Sequence, residues 1–207
     1  MPPLDQFSIV FICSGNRFRS PLAEAFVRKL TRDLPVGVQS FGTLPVGAVP
    51  PLPEAFELAE LCAVDLSGHR ARLVGTESLA ETDLVIGFEA EHMRDAVIEG
   101  HASRGRAFTF REVVALLEDA PASEGGEVVR RARQAVERAA KDRNASHRSN
   151  NAIRDPYGRS WRVYYETAVE IRELSLGLVS SLFGATEGTG LPPLAPQPGG
   201  WRSRWKR

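Results

Sequence analysis

Residues 7–26 read FSIVFICSGNRFRSPLAEAF, an apolar run that ends at Cys13, passes through Ser14, Gly15, Asn16 and two arginines, and meets Ser20-Pro21. The run from Phe7 to Ile12 is broken only by Ser8. Near-continuous apolar character, as opposed to alternation, predicts a strand buried on both faces. Leu22 to Leu30 (LAEAFVRKL) then predicts an amphipathic helix, with Ser20 expected as its N-cap and Pro21 at its first position. Strand, short loop and helix make one βα unit.

The unit recurs along the chain. Strands are expected at Val36 to Phe41, Leu84 to Phe88 and Ala107 to Phe110, and helices at Glu54 to Cys62, Glu89 to Ile98 and Arg111 to Leu117. Such alternation predicts an α/β fold, a four-stranded parallel sheet with helices on both faces and the ligand site at the strands' carboxyl ends; the Cys13 to Ser20 residues make the loop after strand 1 a candidate phosphate loop. From Trp161 onward, Tyr164, Ala168, Ile171, Leu174, Leu178 and Leu182 recur at helical steps and predict a long packing helix. Asp119 to Asn151 breaks the rhythm, with a loop (DAPASEGGE), an Arg-rich amphipathic helix (EVVRRARQAVERAAKDR) and a hinge (NASHRSNN). The expected organisation is a single domain over 1–183, an inserted Arg-rich helical segment at about 119–151, and a disordered basic tail over 184–207.

Composition narrows the function classes. The chain has 207 residues, with Lys+Arg and Asp+Glu both at 26, so no global field argues for nucleic acid or a membrane surface as partner. The start lacks a basic signal region and no apolar stretch reaches the roughly 18 residues of a membrane span, so a cytoplasmic protein is expected. Cys13 and Cys62 are the only cysteines, too few for a disulfide framework or a four-thiolate zinc site. No metal or cofactor is expected. Thiol chemistry must rest on one cysteine.

Cys13 stands where the first strand ends, with five residues before Arg19 and then Ser20. A loop there turns its backbone N–H groups around one centre ahead of a helix N-terminus, which makes an anion cradle. Gly15 permits close approach, and Asn16 tolerates the left-handed conformation a tight loop needs. The Arg19 guanidinium matches two phosphate oxygens at once, and positive surroundings favour the Cys13 thiolate. In-line attack by sulfur on a phosphoryl group would give a phosphocysteine, with Arg19 and the loop amides of Ser14, Gly15, Asn16, Arg17 and Phe18 stabilising the equatorial charge. Ser20 can hydrogen-bond the sulfur. The alternative is a small buried hydrophobe at a strand end.

Expelling an alkoxide or phenoxide needs a proton donor. IRDPYGRSW offers Asp155, which Pro156 keeps out of helical conformation just ahead of the last helix.

CSGNRFRSPLAEA at one end and DPYG at the other together resemble the low-molecular-weight protein tyrosine phosphatase family, over roughly Phe7 to Leu117 and Ile153 to Phe183. The resemblance implies Cys13 as nucleophile, Arg19 as phosphate clamp, Ser20 as activator of the leaving thiol, Asp155 as general acid and Tyr157 on the cleft wall. It also implies a buried network in which Ser40 (SFGT) and His69 (LSGHRAR) support Asn16 and Ser20; local pattern alone reads His69 as a surface turn residue. The implied partner is a phosphorylated protein, with inorganic phosphate or other oxyanions in the loop.

AFTFREVVALL is similar to bacterial members, some of which act on phosphoarginine. Arg17 departs from both the aliphatic residue expected of tyrosine-directed members and the threonine expected of arginine-directed ones. A cation there disfavours a guanidinium leaving group and favours phosphotyrosine in an acidic context. Phe18 replaces a second loop cysteine found in many relatives, Cys62 reads as core, and LPVGAVPPLP (44–53) stands where relatives often present an aromatic wall. The inserted segment is expected either to flank the cleft or to be a solvated decoration. Competing readings are a protein arginine phosphatase, a thiol-dependent arsenate reductase and a non-catalytic phosphate-binding pseudophosphatase.

Overall fold

Ile9 and Phe11 of the first strand face one core while Val10 and Ile12 face another, which is why its sequence is apolar on both phases. In the computed structural model, which describes residues 6–118, 127–143, 151–184 and 190–194, four strands form one sheet: β1 (Phe7–Cys13), β2 (Val36–Gly42), β3 (Leu84–Gly87) and β4 (Ala107–Thr109). All pairings are parallel, in the order β2-β1-β3-β4. The order reverses direction between β1 and β3. In open α/β sheets the crevice above such a reversal, at the carboxyl ends, is where ligands bind.

The larger core packs α1 (Arg19–Leu30), α2 (Pro53–Leu61), α4 (Phe110–Glu118), α5 (Val128–Asp142) and α6 (Trp161–Phe183) on one side of the sheet. The smaller core puts α3 (Ala90–Ile98) and the 74–79 segment on the other. α6 carries the expected stripe, burying Tyr164, Ala168, Ile171, Leu178 and Leu182 against α1 and α4. Every expected strand is present.

Ser8, the one polar break in the first run, has its own partner. Its hydroxyl donates to Asp83 Oδ2 (3.2 Å) and accepts from the Asp83 N–H (2.9 Å), joining the amino ends of β1 and β3.

Three expectations are corrected. Ser20 is not the N-cap of the first helix: α1 begins at Arg19 with Phe18 as cap, and Ser20 sits in its first turn with its hydroxyl turned towards Cys13. The described part of the inserted segment neither flanks the cleft nor decorates the surface. Val129, Ala132, Ala135, Val136 and Ala139 put one face of α5 into the main core, and Arg133 pairs with Asp83 (2.8 Å) at the amino end of β3, opposite the phosphate loop. Residues 119–126 and 144–150 lie outside the described residues. Of the tail, Gly190–Leu194 is docked: Leu191 enters the main core while Arg172 donates to the carbonyls of Leu191 and Pro192. The expectation of disorder otherwise falls on 185–189 and 195–207, outside the described residues.

Candidate active site

The loop from Cys13 to Arg19 is shaped by where its carbonyls go. Those of Cys13 and Ser14 accept from the amides of Thr43 (3.1 Å) and Leu44 (2.9 Å), that of Arg17 from Leu52 (2.9 Å), and that of Phe18 from Leu22 (3.1 Å). The Asn16 carbonyl accepts from His69 Nε2 at 2.9 Å. Because a trans peptide points C=O and the following N–H in opposite directions, the amides of Ser14, Gly15, Arg17, Phe18 and Arg19 face away from those partners. The same residues, with Cys13, line a cleft of about 210 Å³. Asn16 takes φ = 51°, as anticipated. Gly42 was not anticipated: a Cβ there would lie 2.8 Å from the Ser14 carbonyl oxygen and 2.9 Å from the Asn16 nitrogen, so the loop rests directly on the end of β2.

Beneath the loop, the hydrogen bonds from Asn16 through Ser40 to Glu24 have only one possible direction. The Arg72 N–H donates to Asn16 Oδ1 (2.9 Å), which identifies Nδ2 as the donor end of that amide. Nδ2 donates to Ser20 Oγ and to Ser40 Oγ, both at 2.8 Å. Ser40 in turn donates to the buried Glu24 carboxylate at 2.5 Å. Ser20 therefore receives a hydrogen from Asn16, and its own hydrogen has two acceptors in reach, Cys13 Sγ at 3.0 Å and the Phe41 carbonyl at 3.4 Å. Glu24 also pairs with Arg28, and its Oε2 lies 3.9 Å from His69 Nδ1. Burial holds the His69 pKa below its ordinary value, against the opposing pull of the Asn16 carbonyl and Glu24. Ser20, Ser40, Asn16 and His69 thus come together as the family resemblance implied. Glu24 joins them unforeseen.

Arg19 is 1% exposed, so its charge needs close partners. Nη1 donates to Glu89 and to the Ile153 carbonyl (2.8 Å); Nη2 donates to Ser14 Oγ (3.0 Å) and to Asp155 Oδ2 (2.8 Å). Asp155 is held from the other side as well, its Oδ1 accepting from the Tyr157 N–H at 3.1 Å. The segment carrying it is anchored to the sheet, because the Ile153 N–H donates to the Phe88 carbonyl (2.8 Å) just beyond β3. Arg19 and Asp155, 136 positions apart in sequence, thereby share one ion pair.

The cleft walls are Leu44, Val46, Leu52 and Tyr157, with Arg17 among them. Arg17 Nε donates to the Pro50 carbonyl at 3.0 Å, and its two Nη groups have no partner among the described residues. Tyr157, 67% exposed, stands on the wall as implied. The Phe18 side chain instead turns inward, edge-on to Tyr164 with ring centroids 5.0 Å apart. Cys62 is fully buried, and burial pushes its thiol up to about 11.

Two further side chains escaped sequence reasoning. Glu89 caps α3 and also meets Arg19, while His92 receives the Glu89 N–H at Nδ1 (3.1 Å) and reaches Ser14 with Nε2 (3.1 Å). The spacing of Glu89 and His92 is that of a reciprocal helix cap, a signal that marks a helix start but not a site. With Glu91 they are also the one group of potential metal donors among the described residues. Glu89 is already engaged by Arg19 and both His92 nitrogens are in use, so a cation there would have to displace Arg19.

Residues 8–142 match the family model described as low molecular weight phosphotyrosine protein phosphatase. The low molecular weight protein-tyrosine-phosphatase Etp of Escherichia coli K12 is 33% identical over 104 residues, covering 50% of this chain and 68% of that protein. The protein-arginine-phosphatase of Bacillus subtilis is 25% identical over 176 residues, covering 84% and 95%. A solved low molecular weight protein tyrosine phosphatase from T. tengcongensis superposes with a TM-score of 0.62 at 25% identity, covering 86% of this chain and all of that one.

Proposed function

Because the chain belongs to the low-molecular-weight phosphotyrosine protein phosphatase family, and is a cysteine-based phosphatase, we propose that it hydrolyses phosphotyrosine in proteins through a phosphocysteine intermediate. One observation carries the reading: Cys13 Sγ lies 3.0 Å from the Ser20 hydroxyl, at the floor of a cleft where Arg19 and Asp155 meet.

In this mechanism the phosphoryl group enters the cradle with its oxygens on the loop amides and Arg19. Sulfur attacks phosphorus opposite the ester oxygen, the P–O bond breaks as the P–S bond forms, and Asp155 delivers its proton to the departing oxygen. The now ionised Asp155 takes a proton from water attacking the phosphocysteine, phosphate leaves, and the Ser20 hydrogen bond stabilises the released thiolate. Asp155, ion-paired with Arg19 at rest, must exchange that bond for the leaving group and take up a proton from solvent as it does so. Phosphate binding supplies that exchange by taking over the guanidinium.

The apolar walls of Leu44, Val46, Leu52 and Tyr157 suit an aromatic ring. Arg17 adds a cation at the mouth, which favours acidic residues around the phosphorylated side chain and opposes a guanidinium. Phosphoarginine is the second reading, motivated by the 25% identity with a protein-arginine-phosphatase over most of both chains. An arsenate reductase of the multi-thiol kind is disfavoured: Cys62, the only other cysteine, is fully buried.

The test is hydrolysis of para-nitrophenyl phosphate in EDTA, wild type against Cys13→Ser. The expected loss is on the order of 10³-fold or more, with vanadate binding retained. Turnover by the serine variant at the wild-type rate would rule out the phosphocysteine route.

A further inference from the structure

His92 is fully buried, and the chemistry above gives it no task. The Glu89 N–H can only donate, so His92 Nδ1 accepts, and a neutral ring then carries its hydrogen on Nε2. That Nε2–H donates to Ser14 Oγ at 3.1 Å. Arg19 Nη2, which also can only donate, reaches the same oxygen at 3.0 Å. A serine hydroxyl has two lone pairs and one hydrogen. With both lone pairs taken, Ser14 must use its hydrogen in the direction left over, where no acceptor stands among the described residues. Ser14 lines the cleft beside Cys13, Arg19 and Asp155.

We propose that the Ser14 hydroxyl donates a hydrogen bond to a phosphoryl oxygen in the cleft, and that His92 is the positioning residue that makes it a donor. A freely rotating hydroxyl can offer an anion either a hydrogen or a repelling lone pair. His92 and Arg19 remove that choice before substrate arrives, which is preorganisation of the kind that costs nothing at the moment of reaction. The relay works only with a neutral imidazole, because a hydrogen on Nδ1 would face the Glu89 N–H. Burial, seconded by the Arg19 charge, holds the His92 pKa at about 4, which keeps the ring neutral through the working range.

This deepens the phosphatase reading and rests on it. The experiment is a double-mutant cycle of wild type, Ser14→Ala, His92→Gln and the double variant, with Ser14→Thr as rescue. The readouts are kcat/KM for para-nitrophenyl phosphate and the affinity for inorganic phosphate by calorimetry, with thermal melts alongside. Losing one hydrogen bond to a charged group predicts about a 10-fold fall or more for Ser14→Ala in both readouts, largely restored in Ser14→Thr. His92→Gln is expected to fall less, and the double variant no further than Ser14→Ala alone. If the two losses multiply, His92 is only a helix cap and the positioning role is wrong. Ser14→Ala at wild-type affinity overturns the hydrogen bond itself. Should His92→Gln not fold, His92→Asn takes its place, and the Ser14 variants still decide the hydrogen bond. A wild type that binds phosphate without turning over any ester would refute the phosphatase reading, and the calorimetric cycle would then judge this relay separately.

Discussion

On the floor of the cleft, Ser20, Asn16, Ser40 and Glu24 are buried and tied to one another by hydrogen bonds, whereas Leu44, Val46 and Tyr157 on the rim stand in solvent and the Arg17 side chain is held by one hydrogen bond. The floor is overdetermined because a buried polar group left unpaired costs about 1–3 kcal/mol. The rim is under no such constraint, so substrate choice can change there without touching the chemistry below. Asp155 stands between the two regimes, 40% exposed yet tied to the buried Arg19.

The contrast can be broken or sharpened by substitution. The largest effect is expected from Asp155→Asn, which should lower kcat about 10²- to 10⁴-fold on an ester with a poor leaving group, and less on para-nitrophenyl phosphate, whose leaving oxygen needs little help. Its melting temperature should stay near wild type. A rate loss independent of leaving group would remove the acid role.

A pH effect on stability comes next. His92 titrates at about 4 in the fold against 6.5 as an ordinary histidine, so as pH falls the unfolded chain takes up the proton first. The native state keeps this contribution in full above pH 6.5 and loses it as pH falls towards 4, by roughly 3 kcal/mol. Burial and Arg19 depress the value, while Asp155 and Asp95 pull the other way; the Glu89 and Glu91 carboxylates also lie within 4.8 Å of a ring nitrogen. Denaturant melts at pH 7 and 4.5 should show a steeper loss for wild type than for His92→Gln; equal slopes would exclude the buried neutral ring.

On the floor, Ser40→Ala orphans an Asn16 hydrogen and removes a donor from Glu24, with an expected destabilisation of about 1–3 kcal/mol and a slower reaction, measured by chemical unfolding and kcat. A variant as stable as wild type would mean that the floor is not held as described. Smallest in stability is Arg17→Thr on the rim, expected within about 0.5 kcal/mol of wild type. Its signature is a ratio: phosphoarginine turnover should rise relative to phosphotyrosine, and an unchanged ratio would dismiss Arg17 as a selector.

Much of the frame could be read from the chain. Both-face burial of β1 showed in its unbroken apolar run, and the cradle showed because Cys13, Asn16 and Arg19 lie within seven consecutive residues. Asp155 was visible through Pro156. Ser40 and His69 became visible only through the family resemblance, since their partners are 24 and 53 positions away. Glu24 read as an ordinary polar residue of an amphipathic helix, because nothing local marks a carboxylate whose acceptor role is set by another strand. Gly42 and His92 were hidden for the same reason. α5 was legible as an Arg-rich amphipathic helix, but not its place in the main core, because a stripe of three alanines and two valines does not say which surface it packs against.

The hydrogen bond from the Ile153 amide to the Phe88 carbonyl has a consequence for how this architecture can vary. It staples the chain to the sheet two residues before Asp155, so the acid takes its aim from β3 and not from whatever precedes it. Chain added ahead of the staple is therefore expected to leave the aim of Asp155 unchanged, which kcat of a variant lengthened just before Ile153 would check. If the proposed mechanism holds, new surface could then be gained beside the cleft without retuning its proton donor.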